Sequence, residues 1–507
     1  MITKLVQYLE NQYQNNPMKC MIEQEQESLS VGQVYWSAVN LAYEIQRVNK
    51  NKINCPIVVY MEKGIDEYLT LMGVLCSGNY YVPVDTNMPE ERANTIFQMV
   101  NPKLVITKTS YKEKLTRSGY TGHVIEMIRD TEKKLDRNIV QWISKIIDTD
   151  PAYMLFTSGS TGIPKGVVVS QRAVIDYIEW QCATLPFDEF SVLGSQAPFY
   201  FDASMPDIYT PLRCGGKLVI IPEVLFLFPN KLIEYILKKK VNTLIWVPSA
   251  LMTLTNKNFF DSNQIPKLKL VMFCGEVMPC KHLNKWIQYC PDAMYVNLYG
   301  PTETAYACTY YIVQRKFEDD EKLPIGYPCG NTDIIVMDDY NCKIDTKNTI
   351  GELCVRGSSL ALGYYKDTVK TENCFVSNPL NSSYSEKIYK TGDLVQYNKW
   401  GELEFIGRKD YQIKKMGYRI ELGEIETVTY SISAVKQCSA IYNENSKKIV
   451  LFCTLSEQID KKDMFRILKQ KLPKYMLPNE IHILSEMPKN RNGKIDRIKL
   501  KTYNAME

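Results

Sequence analysis

Between residues 57 and 106 the chain alternates short apolar runs with helical patterns: IVVYM, DEYLTLMGVLCSG, YYVPVD, a helix opening at Pro89-Glu90-Glu91, and KLVIT. Strands separated by helices of this length predict βαβ units and a parallel sheet. The runs VNTLIWVPS, LKLVMFCGE and AMYVNLYGPTE repeat the sign, each passing from β-rich apolar residues into a small or polar loop. In open α/β sheets ligands bind beyond the carboxyl ends of the strands, so those loops are where chemistry is expected. After about residue 330 the pattern shifts to short strands with Gly turns (DIIVMDDYN, GELCVRG, GELEFIG), which predicts an antiparallel or barrel-like β segment. The start, MITKLVQYLENQYQNN, reads as an amphipathic helix.

The expected fold is therefore α/β. A large N-terminal domain of mixed parallel sheets flanked by helices carries the β-barrel-like segment, and a small α+β C-terminal domain follows. The polar, charged turn Gly407-Arg408-Lys409-Asp410 marks the boundary, giving units 1–409 and 410–507.

Composition narrows the function. With 45% apolar and 23% charged side chains in 507 residues, and no apolar run long enough to cross a bilayer, the chain is neither a disordered tail, a fibre nor a membrane span. A net charge of +4 is too small to suggest nucleic-acid binding, but it is uneven: residues 410–507 hold 18 Lys and Arg against 12 Asp and Glu, a net of +6, which leaves −2 for residues 1–409. A basic tail of this kind fits a solvated face or an acidic partner. The 15 Cys show no C-x-x-C pair, and the N-terminus lacks the basic start and apolar core of a signal peptide, so reduced thiols and a cytoplasmic location are expected. The three His, at 123, 282 and 482, have no ligand spacing, so a zinc site is not expected.

The strongest local feature is Thr157-Ser158-Gly159-Ser160-Thr161-Gly162-Ile163-Pro164-Lys165-Gly166, between the apolar run AYMLF and the strand-like GVVVS. Consecutive Gly, Ser and Thr let backbone N–H groups and hydroxyls turn around an anion, and Lys165 adds a positive charge there. The loop lacks the spacing of a Walker A motif and precedes a strand rather than a helix.

This loop resembles the signature of the adenylate-forming superfamily, which includes acyl-CoA synthetases, luciferases and amino-acid adenylation domains. Tyr299-Gly300-Pro301-Thr302-Glu303 resembles its adenine and magnesium motif, Tyr389-Lys390-Thr391-Gly392-Asp393 its ribose motif, Gly407-Arg408-Lys409-Asp410 its hinge, and Asn492-Gly493-Lys494-Ile495-Asp496-Arg497 its C-terminal lysine motif. The resemblance implies ATP and Mg2+ as cofactors. Tyr299 would stack on the purine, Thr302 would reach a phosphate, Glu303 would hold the metal, and Asp393 and Arg408 would hold the ribose. Lys494 is the expected catalytic residue, because a fixed cation between a substrate carboxylate and the α-phosphate lowers the barrier to their reaction. In the family the C-terminal domain is mobile. It rotates about the hinge, here Asp410, and would bring a second face that includes Gly417 to the site for thioester formation.

Phe201-Asp202-Ala203-Ser204 points to the amino-acid-activating branch, where the Asp pairs with the substrate ammonium. A carboxylate buried without a cation is costly, so a cationic ligand group is expected at Asp202. The pocket walls carried over from the family fall on Ala203, Pro206, Ile245, Met272, Cys274, Leu298, Tyr306 and Ala307, mostly apolar and bulky, which implies a small uncharged amino acid. Phe273-Cys274-Gly275-Glu276-Val277-Met278-Pro279 resembles the D-alanine–carrier protein ligase branch, where a Cys at the position of Cys274 crowds out the L-enantiomer; Leu298 and Tyr306 are larger than that branch's residues. No Ser stands in a phosphopantetheine-type context, so an acyl or peptidyl carrier protein would come in trans. The expected activity is activation of a small amino acid, D-alanine first, followed by transfer to that carrier. The alternatives are a stand-alone nonribosomal-peptide adenylation enzyme for another amino acid, an acyl- or aryl-CoA ligase, and a nucleotide-binding interaction protein without turnover.

Overall fold

The alternation read at residues 57–106 builds the middle of a seven-stranded sheet. Strand Pro56–Tyr60 pairs in parallel with both Tyr80–Pro83 and Leu104–Thr107, and helices Ile65–Cys76 and Glu90–Val100 make the crossovers. His123–Glu126 extends one side; Pro151–Thr157, Lys165–Ser170 and Gly363–Tyr364 extend the other, the last two antiparallel. The computed structural model describes residues 1–134, 137–159, 162–255, 260, 265–444, 446–489 and 495–503, so Ser160, Thr161 and Lys494 lie outside the described residues.

A nine-stranded sheet packs opposite. Its parallel centre runs Cys20–Gln24, Lys217–Ile220, Val192–Ser195, Thr243–Trp246, Leu270–Phe273 and Met294–Tyr299, with antiparallel strands at both edges. Tyr80–Pro83, Thr243–Trp246 and Leu270–Phe273 are buried along their whole length, as parallel strands covered on both faces must be. One core cluster joins Val59, Ile106 and Leu155 of the first sheet to Leu193, Met272 and Val296 of the second through Ile45, Leu69, Ile178 and Ile208 of four helices. Those helices fill the layer between the sheets.

The Gly-punctuated stretch after residue 330 forms a five-stranded antiparallel sheet of Thr332–Met337, Gly351–Gly357, Phe375–Ser377, Lys387–Tyr397 and Leu403–Arg408. Its register sets Asp393 opposite Arg408.

From Gln412 onward the elements pack on one another. Strands Gln412–Lys415 and Tyr418–Glu421 form a hairpin whose two turn residues, Met416 (φ 53°) and Gly417 (φ 79°), both have positive φ. That is the turn geometry matching strand twist, and it favours Gly. A three-stranded sheet of Val435–Asn443, Lys448–Leu455 and Glu480–Ile483 and helices Leu422–Tyr430 and Lys461–Lys471 enclose a separate core of Ile420, Ile425, Ala440, Leu451, Leu468 and Met476. Among the described residues no helix is long and apolar enough to cross a membrane.

A separate core should lose stability separately. Leu451→Ala is expected to destabilise the C-terminal unit by about 2–5 kcal/mol. In native-state hydrogen exchange the amides of Val435–Asn443 should accelerate while those of Leu270–Phe273 keep their rates; equal acceleration in both would contradict the division.

Candidate active site

Three strand ends and the C-terminal hairpin meet around a cavity of about 50 Å³. Its lining includes Asp202, Ala203, Val247, Cys274, Thr302, Tyr306, Asp393, Arg408, Gln412, Lys414, Gly417 and Arg419. A larger cavity, about 870 Å³, opens between the N-terminal segment and helix Gln171–Thr184; its two arginines, Arg172 and Arg213, are each already forked onto a carboxylate and it touches none of the motif residues. The smaller cavity is the one lined by motif residues.

The Gly- and Ser-rich loop joins two paired antiparallel strands, with Thr157 opposite Lys165. At Gly159 a side chain would collide with the Ile163 carbonyl, so the loop closes tightly only with glycine there. The Thr157 hydroxyl is buried and has no hydrogen-bond partner among the described residues. An orphan donor of this kind suits an anion's oxygen. Ser158, by contrast, is engaged: its hydroxyl donates to the Arg419 carbonyl (2.8 Å) and accepts the Glu421 N–H (3.2 Å).

Glu303 is fully buried, on the short turn after strand Met294–Tyr299. One carboxylate oxygen accepts the Tyr364 hydroxyl (2.7 Å) and lies 3.2 Å from Lys165 Nζ; the other accepts Arg419 Nη1 at 2.6 Å. Burial alone would raise its pKa, but the Arg419 guanidinium and Lys165 ammonium outweigh that and hold the carboxyl far below the usual range. The same burial, helped by Arg419, pulls the Lys165 ammonium down from its ordinary value. With both oxygens taken by protein cations and a hydroxyl, Glu303 in this arrangement does not fit a divalent cation, which needs oxygen ligands around it.

Tyr299 donates its hydroxyl to one Asp393 oxygen and Arg408 Nη1 donates to the other. Arg408 also forks onto Asp410 through Nε (2.6 Å) and Nη2 (2.7 Å), so the ribose-motif Asp, the adenine-motif Tyr and both hinge residues form one chain of contacts. Across the cavity lining, the Thr302 hydroxyl donates to Asp202 Oδ2 at 2.6 Å. Burial raises the Asp202 pKa, while the Thr302 hydrogen bond and the Lys414 ammonium lower it in part. Lys414 Nζ lies 5.5 Å above the Tyr299 ring.

Of the wall residues named from sequence, Ala203, Cys274 and Tyr306 line the cavity. Pro206, Ile245, Met272, Leu298 and Ala307 are buried and stand outside its lining. The sheet register explains this for three of them: Ile245 pairs with Met272 and Met272 with Val296, so Ile245, Met272 and Leu298 share one sheet face with Cys274 but lie before the strand ends. Tyr306, at φ 90°, is backed edge-on by Tyr177, ring centroids 5.5 Å apart. Sequence reasoning missed Lys414 and Arg419 as site residues, although both lie in the stretch that holds Gly417, and it missed Tyr364, for which an aromatic residue after Gly363 is no signal.

The C-terminal unit approaches through its hairpin. Gly417 faces Val247 of the cavity wall, Tyr418 meets Phe201 edge-on at 4.8 Å, and Arg92 pairs with Glu424. Ile495, next to Lys494, instead packs with the C-terminal unit's own cluster of Ile441, Val450, Phe452, Met487 and Leu500.

The Gly- and Ser-rich loop, the chain of Tyr299, Asp393 and Arg408, and the cavity at Asp202 thus lie together under the C-terminal hairpin. The model of the AMP-binding enzyme family matches residues 9–365, and that of the AMP-binding enzyme C-terminal domain matches residues 424–494. The chain belongs to the AMP-binding enzyme family. It is 31% identical to a D-alanine–D-alanyl carrier protein ligase of Staphylococcus haemolyticus over 98% of both chains, and 31% identical to zwittermicin A synthase ZmaJ of Bacillus cereus over 87% of this chain and 83% of that one. Tyrocidine synthase 1 of Brevibacillus parabrevis is 31% identical over 87% of this chain, a match that spans 39% of that protein. Among solved structures, the Vibrio cholerae adenylation domain AlmE, in complex with glycyl-adenosine-5'-phosphate, shares the fold: TM-score 0.85, 20% identity, 100% of this chain and 98% of that one covered.

Gly159→Ala should push the cradle open. We expect ATP affinity by calorimetry to fall about tenfold or more while the thermal midpoint moves little; unchanged affinity would take the loop out of the nucleotide site.

Proposed function

We propose that the protein is an AMP-forming amino acid–carrier protein ligase, with D-alanine as first candidate substrate. The observation that carries the reading is Asp202. Its carboxylate lines a cavity with room for only a small side chain between Ala203, Cys274 and Tyr306, and the hydrogen bond from Thr302 orients it toward an ammonium.

In the first step a carboxylate oxygen of the amino acid attacks the α-phosphorus of ATP. The P–O bond to the β-phosphate breaks, and pyrophosphate leaves with that electron pair. Asp202 holds the ammonium and so orients the carboxylate. The Thr157 hydroxyl and Lys165 meet phosphate oxygens, Asp393 and Arg408 the ribose, and Tyr299 the base. Lys494, outside the described residues, is assigned the bridging cation. In the second step a carrier's phosphopantetheine thiol, giving up its proton, attacks the acyl carbon, and AMP leaves. The face holding Gly417 serves that step, with residues 1–409 and 410–507 moving as two units about Asp410. The basic tail suits an acidic carrier. Glu303, saturated by Arg419 and Lys165, is not assigned a metal.

The size of Tyr306 in the cavity wall favours a second reading, a stand-alone nonribosomal-peptide adenylation enzyme for another small amino acid. ATP–pyrophosphate exchange over glycine and the D- and L-forms of alanine, serine and valine separates the two. Exchange with D-alanine above the rest supports the first reading and exchange with another member of the panel the second; no exchange with any of them would overturn both.

Two variants test the roles. Asp202→Ala should raise the KM for the amino acid about 100-fold, as expected for one partner of a buried ion pair, and leave that for ATP within about threefold. Equal rises would remove Asp202 from the substrate pocket. Lys494→Ala should cut exchange about 10²- to 10³-fold or more with ATP binding nearly intact; unchanged exchange would remove the catalytic assignment.

A further inference from the structure

Tyr306 stands in the cavity wall against the preference of its own backbone. It has φ 90°, and Ala305 before it has φ 53°. Positive φ is unusual for any residue with a side chain and an outlier for a bulky one, and it persists only where the surroundings over-determine it. One constraint lies in the chain itself. At Gly300 an added Cβ would meet the Tyr306 carbonyl oxygen at 2.5 Å and the Ala307 Cα at 2.6 Å, so the turn doubles back on a glycine. That fixes the backbone and leaves the ring to its neighbours. Tyr177 of helix Gln171–Thr184 meets the ring edge-on, at an interplanar angle of 87°. Tyr177 is itself wedged. Trp180, three residues on, lies 5.5 Å from it and 4.9 Å from Tyr310, and a Cβ at Gly330 would sit 2.9 Å from the Trp180 ring. The Tyr177 hydroxyl is buried and has no hydrogen-bond partner among the described residues. A buried hydroxyl without a partner is a cost to the fold, so what position 177 contributes is its ring.

We propose that Tyr177 is a positioning residue that sets the size limit of the amino-acid pocket by holding the Tyr306 ring in the cavity wall from behind. Tyr177 stands outside the cavity lining and acts only through Tyr306. Edge-to-face rings attract in a defined geometry, which a contact between aliphatic side chains lacks. With Tyr177 in place, Tyr306 closes the cavity at about 50 Å³. With a smaller side chain there, the Tyr306 ring has space to swing back and the cavity deepens. Selection by size is thus set in two layers, the wall residue and the residue behind it.

This inference rests on the reading of Tyr306 as a wall of an amino-acid pocket, and two experiments on the full chain keep the two apart. The first is a crystal structure of each variant without ligand. In Tyr177→Leu the Tyr306 ring should move toward position 177 and the cavity should enlarge, while Tyr177→Phe, which keeps the edge-on ring, should leave both as they are. A Tyr306 ring that stays in place in Tyr177→Leu would overturn the proposal whether or not any amino acid is turned over. Should Tyr177→Leu fail to fold, Tyr177→Met carries the same predictions. The second experiment is ATP–pyrophosphate exchange with glycine and both enantiomers of alanine, valine and leucine. Tyr177→Leu should raise kcat/KM for leucine relative to alanine about tenfold or more, through the KM for the amino acid, with that for ATP unchanged. Tyr177→Phe should restore the natural ratio. A merely structural role predicts instead an equal loss with every amino acid, and that result would contradict the proposal. The two tyrosines should also couple: in a Tyr306→Ala background, where the wall is already gone, Tyr177→Leu should add little to the ratio. An undiminished effect there would show that Tyr177 does not act through Tyr306. Absence of exchange with every amino acid in the natural chain would count against the substrate reading, and the ligand-free structures would still decide the role of Tyr177.

Discussion

A carboxylate taken fully out of water must have positive charge beside it, and Glu303 is such a carboxylate. Its environment draws on three separate parts of the chain: Lys165 from the strand after the phosphate loop, Tyr364 from the short strand paired to it, and Arg419 from the C-terminal hairpin. The α/β sheets bring the first two together as a fixed pair. The third arrives only because the hairpin turns at Met416 and Gly417, which aims Tyr418–Glu421 into the cavity. Position, charge and fold thus converge on one side chain.

The rest of the site follows the same logic of neutralised buried charge. Asp393 is held between Tyr299 and Arg408, Arg408 is shared with Asp410, and Glu424 is matched by Arg92 across the two units. Asp202 is the exception. Its neighbour is a threonine hydroxyl, Lys414 lies further off, and burial pushes its pKa up. A half-buried acid on a cavity wall, with no ion-pair partner among the described residues, is what the proposed amine of an amino acid would pair with.

Much of this was legible in the sequence where the determinants are local. The strands and helices at residues 57–106 follow from hydrophobic period, and the shift to an antiparallel sheet after residue 330 from Gly spacing. Strand order was not legible, because Cys20–Gln24 and its hairpin partner Glu27–Ser30 add to one edge of a sheet whose other strands begin past residue 190. Wall residues were legible as to face and not as to depth: Ile245, Met272 and Leu298 share the parity of Cys274 but stand before the strand ends. Arg419 and Lys414 carried no local mark of their role, since their partners lie more than a hundred residues away and depend on how two units meet.

The most direct measurement is a crystal structure of the full chain with a non-hydrolysable ATP analogue and D-alanine. The amino acid's nitrogen should lie within hydrogen-bond distance of the Asp202 carboxylate, with phosphate oxygens on Thr157 and Lys165. An amino acid bound with its nitrogen turned away from Asp202 would contradict the assignment.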